Sequence, residues 1–269
     1  MEHHTLWIVE VVNRLLGPVL APLLGKTWAP GLELIPDYLV MCALIVLGVL
    51  VFSLAVRSSF SVDNPGKLQI VLEDIVGFLV GLLKDNIGPA GPKFLPLVGS
   101  IFIFIFTANA IGKIPGLMSP TANINVTLGC ALTVWVYYHL QGIKAQGVVA
   151  YVKHFIIPPG VPLFVAPIMA PIELISHASR VMSLSLRLFG NVYGEELVVL
   201  IMASIVPFLV PLPMMFLGVI TGSLQAYIFT LLTIIYLAGA VHVEHGHDEA
   251  HHDDHHAHGD SPAPAHAAA

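Results

Sequence analysis

An all-α polytopic membrane protein is the fold this sequence predicts, on three observations. The chain is 56% hydrophobic and only 10% charged, with a mean hydropathy of +0.84, whereas a soluble fold carries roughly a quarter charged residues to keep its surface wet. Its apolar residues gather into runs long enough to cross a hydrocarbon core of roughly 30 Å. Clusters of proline and glycine punctuate the gaps between those runs. The formal net charge is -6, but much of the acid lies beyond residue 241, and no basic patch offers a nucleic acid a surface. Cys42 and Cys130 both sit inside apolar runs, which marks them as small buried side chains and not as a disulfide or metal pair.

Residues 1–36 form an N-terminal segment on the outer side. Glu2, Glu10 and Arg14 interrupt what a cleaved secretory signal would need, a basic end followed by an unbroken apolar core. Over residues 6–17, Trp7, Val11 and Leu15 share one helical face and Glu10 and Arg14 another, the pattern of a short helix lying at a membrane interface.

The membrane domain covers residues 37–241. Tyr38 to Val56 is free of charge between Asp37 and Arg57 and forms the first span. Residues 67–85 carry Glu73 and Asp74 on the sector of the flanking lysines, with Leu72, Ile75, Phe78, Leu79 and Leu82 turned away. That stretch is amphipathic, not spanning. Phe94 to Gly112 and Asn123 to Gln141 are two further spans, and the KIPGLMSPT turn between them holds Pro115, Gly116, Ser119 and Pro120, which cannot continue a helix. Pro158, Pro159 and Gly160 break the chain again, and Pro162, Pro167 and Pro171 predict a helix start near position 170.

From there to about Val206 no proline intervenes, so a helix there would run roughly 54 Å at 1.5 Å per residue and must tilt steeply or break. Pro213 to Val241 returns after the Pro207, Pro211 and Pro213 cluster. The fold class is therefore about five transmembrane helices plus amphipathic interfacial helices, the last two spans forming a long tilted hairpin. No internal repeat is visible. Arg57, Lys67, Lys84, Lys93, Lys144 and Lys153 fall on one side of these spans and Arg14, Lys26 and Lys113 on the other, which places the N-terminus outside and the C-terminus inside. Residues 242–269 are rich in His, Asp, Pro and Ala and are expected to be a disordered inside tail. The histidines of residues 242–258 are good ligands for zinc or nickel, but without fixed spacing they read as a solvated tail and not a metal site.

Two basic residues are left, Arg180 and Arg187, and both lie within the helix after Pro171. Arginine stays charged at any accessible pH, and a charge near the bilayer centre costs at least ~2.5 kcal/mol, so such a residue marks a functional site. At roughly 100° per residue, Glu173, Ser176, Arg180, Ser183 and Asn191 all fall within about 40° of Arg187. Glu173 lies about 21 Å from Arg187 along the helix axis and Glu196 about 13 Å in the other direction. A fixed cation flanked by two carboxylates suits proton traffic, because carboxylates load and unload protons while the arginine repels a cation and relays none. For Glu173 and Arg180 the alternative is that they cap or snorkel at one membrane surface. Glu195 projects about 100° from Glu196, toward a neighbouring helix, water or the same polar cavity. On the returning helix Gln225 is the conspicuous polar residue, with Thr221, Ser223, Tyr227, Thr230 and Tyr236 as further hydrogen-bonding groups.

The segments SLSLRLFGNVYGEEL (183–197) and LQAYIFTLLTIIYL (224–237) resemble the last two membrane helices of subunit a of the F-type ATP synthase, in which LRLFGN holds the essential arginine. PGKLQIVLE (65–73) and IPGLMSPTANINVTL (114–128) are also similar to bacterial members, so the likeness covers nearly the whole chain apart from its ends. The resemblance implies that Arg187 faces the proton-binding carboxylate of a rotating c-ring, and that Asn191, Glu196 and Gln225 line the proton path. It implies as partners the c-ring proteolipids, the peripheral-stalk b subunits, the lipid bilayer and, indirectly, the catalytic head, all at a bacterial cell inner membrane. One position departs from the pattern. Gly218, seven residues before Gln225, stands where many bacterial relatives carry histidine, and the pair Glu195 and Glu196 is the expected compensation.

ATP chemistry is expected on other subunits, with no cofactor on this one, since no GxxxxGK[ST] loop is present. A self-contained secondary transporter would predict repeated halves around a midplane site, and a structural anchor leaves the mid-helix arginine unexplained.

Overall fold

The computed structural model describes residues 7–23, 34–58, 60–61, 65–114, 117–156, 166–205 and 211–241, and among these every regular element is helical. The helices are α1 (Trp7–Leu23), α2 (Asp37–Arg57), α3 (Lys67–Ile87), α4 (Leu95–Ile111), α5 (Ile124–Gln146), α6 (Val148–Ile156), α7 (Ala166–Ile205) and α8 (Pro211–Val241), with short 3₁₀ turns at Gly91–Phe94 and Pro120–Ala122. Among the described residues four helices are long and apolar enough to cross a membrane: α2, the Gly91–Ile111 stretch that contains α4, α7 from Pro171 onward, and α8. With 23 residues α5 matches them in length, but Asn125, Thr127, His139, Gln141 and Lys144 make it more polar.

Local chemistry sets the helix ends. Asn123 caps α5 by accepting a 3.0 Å hydrogen bond from the Asn125 amide, the role for which a short side-chain carbonyl at that position suits. Gly147 ends α5 at φ +84°, a backbone state that side chains with a Cβ resist, and the chain turns at once into α6. The sequence reading did not anticipate α6. Nor did it place the start of α7 correctly: the helix begins at Ala166, not near 170, and holds Pro171 within its early turns. At the sixth position Pro171 lies past the first turn, so α7 forgoes one i→i−4 hydrogen bond there and continues. α7 does not break. Its 40 residues run as one helix, about 60 Å at 1.5 Å per residue.

α8 is the centre of the bundle and packs against α3, α4, α5 and α7, while α2 lies at the edge against α1, α4 and the second 3₁₀ turn. Within their most apolar windows α8 is 44% buried and α7 only 11%, so α7 presents most of its circumference outward. The core runs through Phe94, Ile101, Ile105, Leu184, Leu188, Phe229, Ile234 and Leu237. In lipid such contacts hold helices by close packing and not by escape from water, and α2 accordingly leaves Leu47, Leu50, Val51 and Phe52 exposed for lipid. In α3 the buried face is Leu79, Leu83 and Ile87. Of the face expected to turn away from the charges, Leu79 is buried but Ile75 and Phe78 remain exposed.

Buried polar bonds fix the register of the helices. Asn109 of α4 donates to the Gly222 carbonyl of α8 at 2.9 Å and accepts from Thr121 at 2.7 Å, and Ser119 binds the Ala108 carbonyl at 3.0 Å. Thr127 of α5 meets Ser185 of α7 at 3.1 Å. With its side-chain amide, Asn13 of α1 clasps both backbone groups of Ile35, at 2.9 and 3.1 Å. Residues 242–269, expected to be an inside tail, and the expected break at Pro158, Pro159 and Gly160 fall outside the described residues.

Candidate functional site

Ser183, Arg187 and Asn191 succeed one another at one-turn intervals along α7, and all three are exposed. Arg187 forms no ion pair among the described residues. Just behind it Leu184, Leu188 and Val192 are buried in the bundle, so the helix carries its packing face and its arginine on different sides. Large apolar neighbours, Met182, Leu186, Leu197 and Ile201, flank the polar stripe on the outward surface.

Asn191 is where this stripe enters the protein. Its side-chain amide donates to Gln225 Oε1 of α8 at 2.8 Å. Gln225 is 2% exposed, and its own Nε2 is buried without a partner; a buried orphan donor is costly, and this one lies beside a cleft. That cleft, about 330 Å³, is lined by Asn191, Glu195, Gly218, Thr221 and Gln225 among others.

Glu195 faces α8 and carries the ion pair of this region, its partner being Lys113 at the end of the α4 turn. The side chains are only 17% and 12% exposed, where an unpaired charge would be poorly tolerated. The Glu195 carboxylate occupies the space where a Cβ on Gly218 would stand. The absence of a side chain at 218 and the presence of a carboxylate at 195 are therefore one structural feature. The open direction of Glu195 is resolved: it turns to the neighbouring helix.

Glu196 points elsewhere, toward the turn that holds Ser119. It lines a cavity of about 340 Å³ with Asp37, Tyr38, Asn123 and Tyr193. A third cavity, about 370 Å³, is lined by both glutamates and Lys113. Neighbouring spaces share lining residues, Glu196 between the second and third and Glu195 between the third and first, so they succeed one another from Asp37 to Asn191, which stands one turn of α7 from Arg187.

The remaining stripe residues lie apart from this series. Arg180 is half-buried with its guanidinium 5.4 Å from the ring centre of Tyr236. Glu173 contacts His177 at 3.2 Å, and Ser176 is half-buried beside it. The polar face predicted from periodicity is thus divided between a middle section open to the outside and two ends engaged with other helices. Sequence reasoning treated Lys113 as a loop charge only and passed over Tyr138, His139 and His177. Glu173 and His177, four residues apart on one helix face, were a local signal that could have found the histidine; Lys113 and Tyr138 acquire their roles from partners far away in the chain.

Residues 38–238 match the family model described as ATP synthase A chain. The chain belongs to the ATP synthase A chain family. It is 47% identical to ATP synthase subunit a of Geotalea daltonii, over 76% of this chain and 86% of that one. It is 41% identical to ATP synthase subunit a 1 of Pelobacter propionicus, over 90% and 99% respectively, and 44% identical to ATP synthase subunit a of Campylobacter jejuni, over 75% and 88%. As a member of the ATP synthase A chain family it is a multi-pass membrane subunit of a proton-translocating F-type ATP synthase.

Proposed function

We propose that this subunit supplies two offset half-paths to a proton-carrying ring of c-type proteolipids, with Arg187 between them, so that protons crossing the membrane must ride the ring and turn it. The observation that carries this reading is the position of Arg187: a permanent cation, exposed midway along α7 between Ser183 and Asn191, one turn from the Asn191 end of the succession of cavities that holds Glu195 and Glu196. A charge that expensive in lipid is sustained by a partner, and an outward-facing arginine calls for an acidic partner outside this chain. A ring carboxylate passing within about 4–6 Å would be drawn into its ionised form and would give up its proton before moving on.

In this reading α2, α4, α5, α7 and α8 make five crossings between an outside N-terminal segment (1–36) and an inside tail (242–269), in a bacterial inner membrane. The cavity series from Asp37 to Gln225 is the outer half-path, and the Glu173 end of α7 belongs to the inner one. The exposed apolar faces serve lipid and the peripheral-stalk b subunits, and ATP is made on the distant catalytic head. Each charge falling through 100 mV releases about 2.3 kcal/mol.

The test is Arg187→Ala, with assembly checked by blotting. ATP-driven acidification of inverted vesicles should cease, and membranes stripped of the catalytic head should leak protons. Arg187→Lys should rescue poorly, because lysine loses its proton when desolvated. Near-normal pumping by an assembled Arg187→Ala complex overturns the reading.

A further inference from the structure

At the end of the bundle opposite Glu195 and Glu196, four helices bring together titratable groups that the Arg187 stripe does not include. His177 of α7 stands between two of them: the Tyr138 hydroxyl of α5 lies 2.6 Å from its Nδ1, and its Nε2 lies 3.2 Å from Glu173 Oε1. One tautomer satisfies both contacts. With its hydrogen on Nε2, the ring donates to the carboxylate and accepts at Nδ1 from the tyrosine. Exposure rises along this chain, from 3% for Tyr138 to side-chain values of 11% for His177 and 32% for Glu173, so it leads from the packed interior toward the surface.

Among the described residues the titratable or charged groups around His177 are Tyr138 and His139 from α5, Tyr151 from α6, Glu173 and Arg180 from α7, and Tyr236 from α8. His139 Nδ1 and the Tyr151 hydroxyl are 2.6 Å apart, and the His139 ring lies 5.0 Å from that of His177. The short helix α6 thus braces the cluster. Arg180, three residues after His177, is turned onto the ring of Tyr236.

We propose that Glu173 and His177, oriented by Tyr138, are the proton-exchange terminal of the half-path on this side of Arg187; this rests on the two-path reading above. A proton arriving from the Arg187 side binds Tyr138 Oη as the hydroxyl's own hydrogen passes to His177 Nδ1. The imidazolium so formed gives its Nε2 hydrogen to Glu173 Oε1, and the carboxylic acid releases it to water. Each step makes one O–H or N–H bond and breaks another. Proton passage leaves the imidazole with its hydrogen on Nδ1, and exchange with water through Glu173 returns the ring to the Nε2–H tautomer before the next proton; uptake from the same surface starts from the Nδ1–H tautomer and runs the steps in reverse.

The experiment uses the intact complex in inverted vesicles, with pumping followed against external pH and ATPase of the detached head as control. His177→Gln and Tyr138→Phe should each lower pumping about tenfold or more, as loss of a positioned acid-base group does. Both should flatten the pH profile while the head's ATPase is unchanged, and the double variant should be little worse than either single one, since the two act in one relay. An assembled His177→Gln complex with wild-type rate and profile overturns the proposal. Should His177→Gln fail to assemble, Tyr138→Phe, which removes a single oxygen, decides on the same criterion. Arg187→Ala in parallel separates the two levels: if it stops pumping while the His177 and Tyr138 variants behave as wild type, only the terminal is wrong, and if it still pumps, the two-path reading falls.

Discussion

Adding one methyl group at Gly218 should impair proton flow without unfolding the subunit. In the structure a Cβ at that position would coincide with the Glu195 carboxylate, so Gly218→Ala forces that side chain aside. The obstructing atoms are the far end of a flexible side chain and not backbone, which allows the helices to stay in place. Driving Glu195 about 30° off a staggered rotamer costs about 0.5–1.5 kcal/mol, and its contact with Lys113 must be re-formed in the shifted position. If that energy enters the barrier to proton transfer, flux drops about two- to tenfold, since 1.36 kcal/mol is tenfold in rate. Glu195→Asp shortens the side chain by one methylene and should restore part of the flux in the Gly218→Ala background, although alone it is deleterious. ATP-driven acidification of inverted vesicles, normalised to assembled complex, gives all four corners of the cycle. Unchanged flux in the assembled Gly218→Ala complex, or strict additivity of the two changes, would refute the idea that 195 and 218 form one site.

Two further outcomes follow from the same geometry. Glu196→Gln keeps the shape of the side chain but cannot titrate, so the complex should assemble while pumping slows at least tenfold, a modest share of what acid-base groups contribute; unchanged pumping would remove Glu196 from the path. Asn109→Ala deletes the bond to Gly222 and the acceptor for Thr121. Because the Gly222 carbonyl keeps its helical partner and Thr121 still meets Ser119, the loss should sit at the low end of the range for buried groups, about 1 kcal/mol, read as a lower midpoint of thermal unfolding in detergent.

Much of this protein is determined by the sequence alone, because lipid imposes rules that act residue by residue. A helix must satisfy its own backbone in a bilayer, so apolar length and proline punctuation located the spans at Tyr38–Val56, Phe94–Gly112 and Pro213–Val241 close to where the helices lie. The cost of a buried charge singled out Arg187, and the LRLFGN motif around it identified the family that the comparison with known proteins shows. Tertiary structure alone decided the rest. Pro171 lies inside α7 and not at its start, since one lost backbone bond does not outweigh the rest of a 40-residue helix. The directions of two adjacent glutamates depend on which helices stand beside them: Glu195 meets Lys113 and the space above Gly218, whereas Glu196 meets the Ser119 turn. Tyr138 and His177 are 39 positions apart, and no periodicity within either helix foretells their contact. A helix face is written in its own sequence, but what that face meets is set by the packing of the whole bundle.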